Sequence, residues 1–402
     1  MDPRHRAIVA LLALPFVAIL GATPSLAADK VVVVVSGGVM AATNPFLLPG
    51  TDTDGQSAFV EAAPEYSSRS ELSTLTLRGR ARFEQYFRRY SRDELYTADL
   101  DYSRKVSERV SLNIGGGFLS SRASSQAVLF GLSDATGSTV QNPVPTLDVS
   151  TFGLGDRVRV LSGRLGAAIA LGPRDNASID LGVADNHYSG STLYSFLSAN
   201  QNLRYSRKLS ENTDLYLSVN VTEADYRSRR EGDSLIVTPV VGLRRQLSRT
   251  LELSADVGAS WASVADTFGT RTKSATVALH GQLCDNRERS QFCVRGSHAA
   301  QPTALGRVRK ESRIDASYRL KMSENNQLQL NAAYGRTGES LTNLSLPPIS
   351  LVNATAEFSH TIRRRLTLFA SSGYGDLFQS GVARRANIQG RVGVRYFFGA
   401  LQ

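Results

Sequence analysis

The sequence predicts an all-β fold: a transmembrane up-and-down antiparallel β-barrel of eighteen strands, with sixteen as the alternative count. Three observations carry this. A short polar turn recurs about every 38 residues, alternating apolar and polar side chains flank each turn, and the last strand ends in an aromatic-rich pattern. Hairpins repeated this regularly belong to closed barrels rather than to open sheets.

The turns are legible one by one. Tyr102–Glu108 reads YSRKVSE, Tyr205–Glu211 reads YSRKLSE and Tyr318–Glu324 reads YRLKMSE, each followed by an apolar pair such as Leu112 and Ile114. Weaker copies lie at Arg69–Glu71, Leu247–Arg249 and Arg363–Arg365, and turn-like clusters at Gly172–Asn176 and Asp285–Arg289 fill the gaps. Longer, irregular segments near 43–55, 89–93, 122–156, 189–196, 228–232, 265–270, 297–309, 339–350 and 379–384 then separate the hairpins. Eight short turns join sixteen strands. A closing strand at about 384–398 and an opening one at about 31–42 bring the number to eighteen, although Val31–Val35 lacks alternation and Gly37-Gly38 interrupts it.

The alternation assigns two faces to each strand. Leu215, Leu217, Leu251, Leu253, Leu328 and Leu330 share an apolar face, whereas Asp214, Glu252, Asp256 and Gln329 lie on the other. A uniform Leu, Val and Ala wall backed by charge suits lipid outside and water inside. Strand number then sets the lumen: eight strands enclose only side chains, but sixteen to eighteen leave room for water. The expected function is therefore a channel, for passive diffusion or for export. The alternative is a plugged, non-conducting structural or binding barrel, with 43–55 or the long loop 122–156 as the plug, and an enzyme is a more distant reading.

Residues 1–27 read as an export signal. Arg4 and Arg6 precede an apolar run from Ala7 to Ala22, and Ser25-Leu26-Ala27 supplies small residues for cleavage. The barrel domain is then 28–402, in the outer membrane. At the other end Val392, Val394, Tyr396 and Phe398 alternate with Gly393, Arg395 and Phe397, which resembles the final-strand signal that barrel assembly machinery recognises. Gly399–Gln402 extend past that pattern, a departure from the usual terminal Phe.

The chain carries a net charge of +10, and residues 1–27 hold two bases and one acid of that balance. The proposed turns concentrate the excess, with Arg104, Lys105, Arg207, Lys208, Arg363, Arg364 and Arg365 among them. A basic collar at one rim points to anionic lipid head-groups, each cation contributing about 1 kcal/mol. Nucleic acid is not expected as a partner, and no nucleotide, haem or other cofactor motif is present: Gly115-Gly116-Gly117 lies within a strand and has no following helix. Oligomeric state is left open.

Cys284 and Cys293 flank one turn on the lumen face, so an exported chain is expected to join them in a disulfide. Zinc, with His280 and His298, is the weaker alternative, and no metal is expected. Arg78, Arg80 and Arg82 share a polar face, and Arg385, Arg391 and Arg395 lie on that of the closing strand. A hairpin centred between Tyr90 and Ser91 sets Arg82 opposite Asp99, Arg80 opposite Asp101 and Arg78 opposite Ser103, leaving Arg78 the least neutralised of this ladder. Closure would bring both arginine sets within two strands, as a stripe able to guide a small anionic solute. No catalytic residue is expected; Asp185, His187 and Ser189 are the nearest approach to a hydrolase cluster.

The segment TNPFLLPG at Thr43–Gly50, followed by AFVEAAPEYSSRSELSTLTLRGRARFEQYFRRYSR from Ala58, resembles the start of a little-characterised group of Gram-negative outer-membrane barrels. Members of that group are often encoded near exopolysaccharide genes. The resemblance implies an outer-membrane barrel with polysaccharide as a possible cargo, and none of its motifs identifies a substrate.

Overall fold

A computed structural model describes residues 28–122, 148–190, 193–227, 232–265, 270–340 and 347–399. The export signal at 1–27 and the greater part of the 122–156 loop lie outside these residues. Eighteen strands follow one another without a crossover. They begin with β1 (Ala28–Ala42), β2 (Gly55–Arg69), β3 (Ser73–Tyr86), β4 (Asp93–Lys105), β5 (Val110–Arg122) and β6 (Arg157–Ala170). Next come β7 (Asp175–Tyr188), β8 (Phe196–Ser210), β9 (Thr213–Tyr226), β10 (Ser234–Gln246), β11 (Leu251–Ala265) and β12 (Arg271–Asn286). The ring ends with β13 (Ser290–Pro302), β14 (Val308–Lys321), β15 (Asn326–Ser340), β16 (Ile349–Arg363), β17 (Leu366–Gln379) and β18 (Asn387–Gly399).

Each strand pairs antiparallel with its neighbours in sequence, and β1 pairs with β18 from Val32↔Gly399 to Ala42↔Gln389. The β1–β18 pairing removes the two outer edges that an open sheet would leave in hydrocarbon, which offers no partner to backbone polar groups. All eight expected turns and the eighteen-strand count are present. The opening strand is regular after all: Gly38 sits where a Cβ would run into the Val392 carbonyl and Gly393, so its lack of a side chain lets the seam close. One end of the barrel carries the short turns, and the other carries the long segments.

The period of two sorts side chains as the sequence predicts. Leu217, Val257, Trp261, Val277, Ile314 and Val392 are each more than half exposed on the outside, the position lipid would occupy. Leu253 shares that face through its pairing with exposed Leu283. Glu252 faces the lumen and bonds Arg244 at 2.7 Å, and Asp256 accepts from the Tyr216 hydroxyl at 2.7 Å.

The lumen is not uniform. At the long-segment end it is packed with apolar side chains: Leu95, Val158, Tyr188, Phe196 and Tyr226 form one cluster, and Leu47, Val149, Phe152, Leu351 and Leu377 another. Both include residues from segments that fold inward. Asn44 anchors one of these, its amide nitrogen donating to Leu48 O at 2.9 Å and Arg385 O at 2.8 Å while its backbone N–H reaches Asn387 Oδ1. Leu47 accepts a left-handed φ of 51° there, with its side chain wholly buried.

Arginine at Leu253 should destabilise the barrel by about 2–4 kcal/mol in vesicles, the scale for a lipid-facing charge near mid-membrane. Arginine at Ser254, one residue along and facing the lumen, should be tolerated. Denaturant unfolding of both variants measures the difference.

Candidate functional site

The lumen wall contributed by β16–β18 and β1–β4 carries the arginines that the sequence singles out. On β3 exposed Leu77 and Phe83 mark the outer face, so Arg78, Arg80 and Arg82 point inward. Arg391 and Arg395 do the same from β18, and β1 and β2 alone separate the two sets.

Their partners differ from the expected ones. The β3–β4 hairpin is centred between Arg88 and Arg89, not between Tyr90 and Ser91, so Arg78 lies opposite Asp99, Arg80 opposite Thr97 and Arg82 opposite Leu95. The cause is local. Arg89 turns the chain early with a φ of 67°, and Tyr90 folds in against Phe46 and Tyr86, its hydroxyl donating to Thr53 O at 2.9 Å. Burial there pushes the Tyr90 phenol pKa up.

The neutralising acids come chiefly from elsewhere in the ring. Arg78 bonds Glu65 at 3.4 Å and Arg80 approaches Glu61 at 3.7 Å, both acids on β2, while Arg82 bonds Glu84 on its own strand at 2.8 Å. Arg391 and Arg395 share Glu357 of β16, at 3.4 and 3.1 Å. Arg78, within reach of both Glu65 and Asp101, is therefore not the least neutralised of its own ladder, while on β18 Arg391 and Arg395 share the Glu357 carboxylate. Asp101 pairs with Arg164 on β6 and lies 4.0 Å from Arg78. Arg385 precedes β18 instead of lying on it and bonds Asp54 at 3.0 Å.

Aromatic rings complete this wall. Arg82 stacks 4.6 Å from the Phe59 centroid, and Arg395 lies 4.9 Å from that of Phe369. Glu84 also accepts from Ser57 at 2.6 Å. The arginines are mostly buried in this lattice, Arg82 to 4 % side-chain exposure. Gly115 explains the glycine run: Arg164 lies across it, where a Cβ would collide.

The wall from β5 to β10 has a different character. It encloses a cavity of about 700 Å³ whose polar lining includes Asn186, Asn200, Asn202, Asn220, Ser198 and Thr222. Ser218 and Asn202 bond at 2.6 Å. Nearer the short turns, Arg204 stacks on Tyr216 at 3.7 Å, and His280 lies 3.4 Å from Asp256.

The remaining candidates separate. Cys284 and Cys293 face each other across β12–β13 and are joined by a disulfide. Val392, Val394, Tyr396 and Phe398 line the outer face of β18, with the last two rings 4.6 Å apart. Asp185 pairs with Arg227 at 2.7 Å, while His187 lies 3.4 Å from Ser195, so acid and imidazole do not form a relay.

Glu61, Glu65, Glu357 and Arg164 were not singled out from sequence. Glu61 and Glu65 carried a signal, since their four-residue spacing matches that of Arg78 and Arg82. Glu357 lies too far along the chain for any local pattern to couple it to β18.

No family model and no curated protein matches this sequence. Solved structures of outer-membrane barrels from Gram-negative bacteria are similar in outline. OccAB3 of Acinetobacter baumannii has 10% identity and a TM-score of 0.47, covering 93% of this chain and 100% of its own. OccK2 (OpdF) of Pseudomonas aeruginosa in complex with glucuronate has 9% identity and a TM-score of 0.47, over 93% and 99%. The FrpB iron transporter of Neisseria meningitidis, F5-1 variant, has 8% identity and a TM-score of 0.46, over 92% and 82%.

Two outcomes check the wall. Glu357→Gln leaves two cations without their acid and should cost about 2 kcal/mol in denaturant unfolding, below the value for a fully buried pair. Non-reducing digestion of the exported protein should yield one peptide joining Cys284 to Cys293; recovery of both as trapped free thiols would refute the bridge.

Proposed function

We propose that this protein is an outer-membrane channel, open to small polar solutes and narrowed at its long-segment end by chain folded into the lumen. The observation that carries the reading is the lumen itself: a closed ring of eighteen strands whose β5–β10 wall encloses a cavity of about 700 Å³ rich in amides and hydroxyls. A plugged barrel would fill that space with side chains. Short turns face the periplasm and long segments the exterior, the usual arrangement for such barrels. The basic turns then meet anionic head-groups, and the strand pattern ending at Phe398 addresses the assembly machinery.

Among solutes, Arg391 and Arg395 share Glu357 on the paired wall and carry the local excess of positive charge on β18, so a mild preference for anions is expected. The amide-rich wall suits hydroxylated solutes, which supports polysaccharide export as the finer form of the proposal. The packed apolar clusters at the long-segment end favour a second reading, a plugged barrel serving the envelope.

Conductance in planar bilayers separates these. The channel conducts intact, and a barrel that conducts only after removal of 43–54 is plugged. For the channel, replacing Arg391 and Arg395 by Gln should shift reversal potentials toward cations at low salt. The shift should fade as the screening length falls from about 30 Å at 0.01 M to about 3 Å at 1 M. Selectivity that ignores the double substitution would leave these arginines purely structural.

A further inference from the structure

One seam of the ring is incomplete. β12 and β13 pair over eight residues, from Leu279↔His298 to Asn286↔Gln291, against fifteen for β11–β12 and thirteen for β13–β14. Beyond Leu279 the two strands part. β12 continues to Arg271 on β11 alone, and β13 continues to Pro302 on β14 alone.

The reason lies at the tip of the β13–β14 hairpin. Its Thr303 N–H donates to the Tyr226 hydroxyl at 3.2 Å, and that hydroxyl lies 3.1 Å from the carbonyls of Thr303 and Arg307. Tyr194 N–H donates to Ala304 O at 2.7 Å, and Ala304 N–H donates to Asp148 at 2.5 Å. These anchors draw the tip across the lumen. Ala300 and Val308 follow it and seat against Ile236, Ala262 and Val264 of β10 and β11.

The parting begins inside the membrane band. Trp261, exposed on the outside of β11, marks an interface level and pairs with Ala275 of β12, closer to the long segments than Leu279. Unpaired strand edges at that depth persist only where they line protein or a water-filled cavity. Hollows lie on both sides of this cleft. On the lumen side, Ala299–Pro302 form part of the 700 Å³ cavity wall. On the lipid side, an apolar groove of about 780 Å³ runs past Val257, Leu279 and Ile314, with paired Gly281 and Gly296 removing the side chains that would fill it.

The groove ends in polar chemistry that a lipid-facing wall ordinarily avoids. His298 Nδ1 lies 2.8 Å from Ser312 Oγ at the groove, and exposed Arg336 flanks it on the next strand as the backbone register partner of Ser312. An apolar groove ending at two hydrogen-bonding groups, with a cation on the flanking strand, complements one kind of molecule, a hydrocarbon chain with an anionic head.

We propose that the β12–β13 cleft is a lateral binding site for a single-chain anionic amphiphile. Its chain lies over Gly281 and Gly296, its head meets His298, Ser312 and Arg336, and the cleft gives it passage between lipid and lumen. The proposal rests on wall geometry and stands apart from conduction along the barrel axis.

The test uses the full chain in phosphatidylcholine vesicles with palmitate carrying a photoreactive chain, and peptides mapped by mass spectrometry. Saturable labelling is expected at Leu279 and Gly296 and also at the lumen residues Thr238 and Gln301. Unlabelled palmitate should compete and hexadecanol should not; lysophosphatidate competing better than palmitate would identify phosphate as the preferred head. Arg336→Gln should weaken the saturable phase. Gly296→Leu should abolish it while conductance stays that of the unaltered protein, so failure here and failure of the channel reading are separate results. Labelling that never saturates, that is equal at Leu217 and Leu279, or that spares the lumen would overturn the site. A second measurement checks the cleft itself. Val277→Cys with Ala300→Cys would face each other if the ladder continued, and the two native cysteines are already joined. The new thiols should remain free, and their spontaneous bonding would show a closed wall and overturn the proposal.

Discussion

Every feature of this molecule answers to one constraint: a chain in hydrocarbon must satisfy each backbone N–H and C=O from within itself. A closed ladder does so, and the cost of an open edge fixes the rest. Alternation follows, because a wall one residue thick must show lipid one face and water the other. Gly38 follows as well, since the first and last strands meet only if one of them surrenders its side chain at the point of closest approach. The lumen-facing arginines obey the same logic. Placed on a thin wall between lipid and water, Arg80 and Arg82 are held by carboxylates and rings rather than left to solvent.

The two ends of the barrel use their interior differently. Toward the short turns the inward side chains include polar groups paired across strands, as Arg244 is with Glu252 and Tyr216 with Asp256. Toward the long segments, chain from 43–54, 148–156 and 303–307 fills the ring with apolar contacts. Those segments are anchored by single polar residues, Asn44 for the first and Tyr226 for the last. A small number of side chains thus sets how much of the lumen stays open.

Much of this architecture was legible in the sequence, because its signals are local. A turn such as YSRKLSE and the alternation beside it lie within a dozen residues, so strand number, facing and the Cys284–Cys293 pair emerge together. What was not legible depends on where loops go. The β3–β4 turn centre moved by two residues, and the register by four, because Tyr90 finds Phe46, some forty-four positions earlier. Glu357 meets Arg391 and Arg395 only through ring closure. Thr303–Arg307 reads as an ordinary connection, and nothing nearby announces that Tyr226 will capture it.

The β1–β18 seam also imposes an order in time. Val32 and Gly399 are neighbours in space yet lie at opposite ends of the barrel sequence, so no synthesis-coupled pairing can join them. Seventeen local hairpin contacts can form first, each between strands adjacent in the chain, and the long-range pair must come last. Until then two long strand edges stand open to any other chain with a matching edge. The barrel is thus most exposed to misassociation when it is almost finished, and escort must last until the final ladder forms.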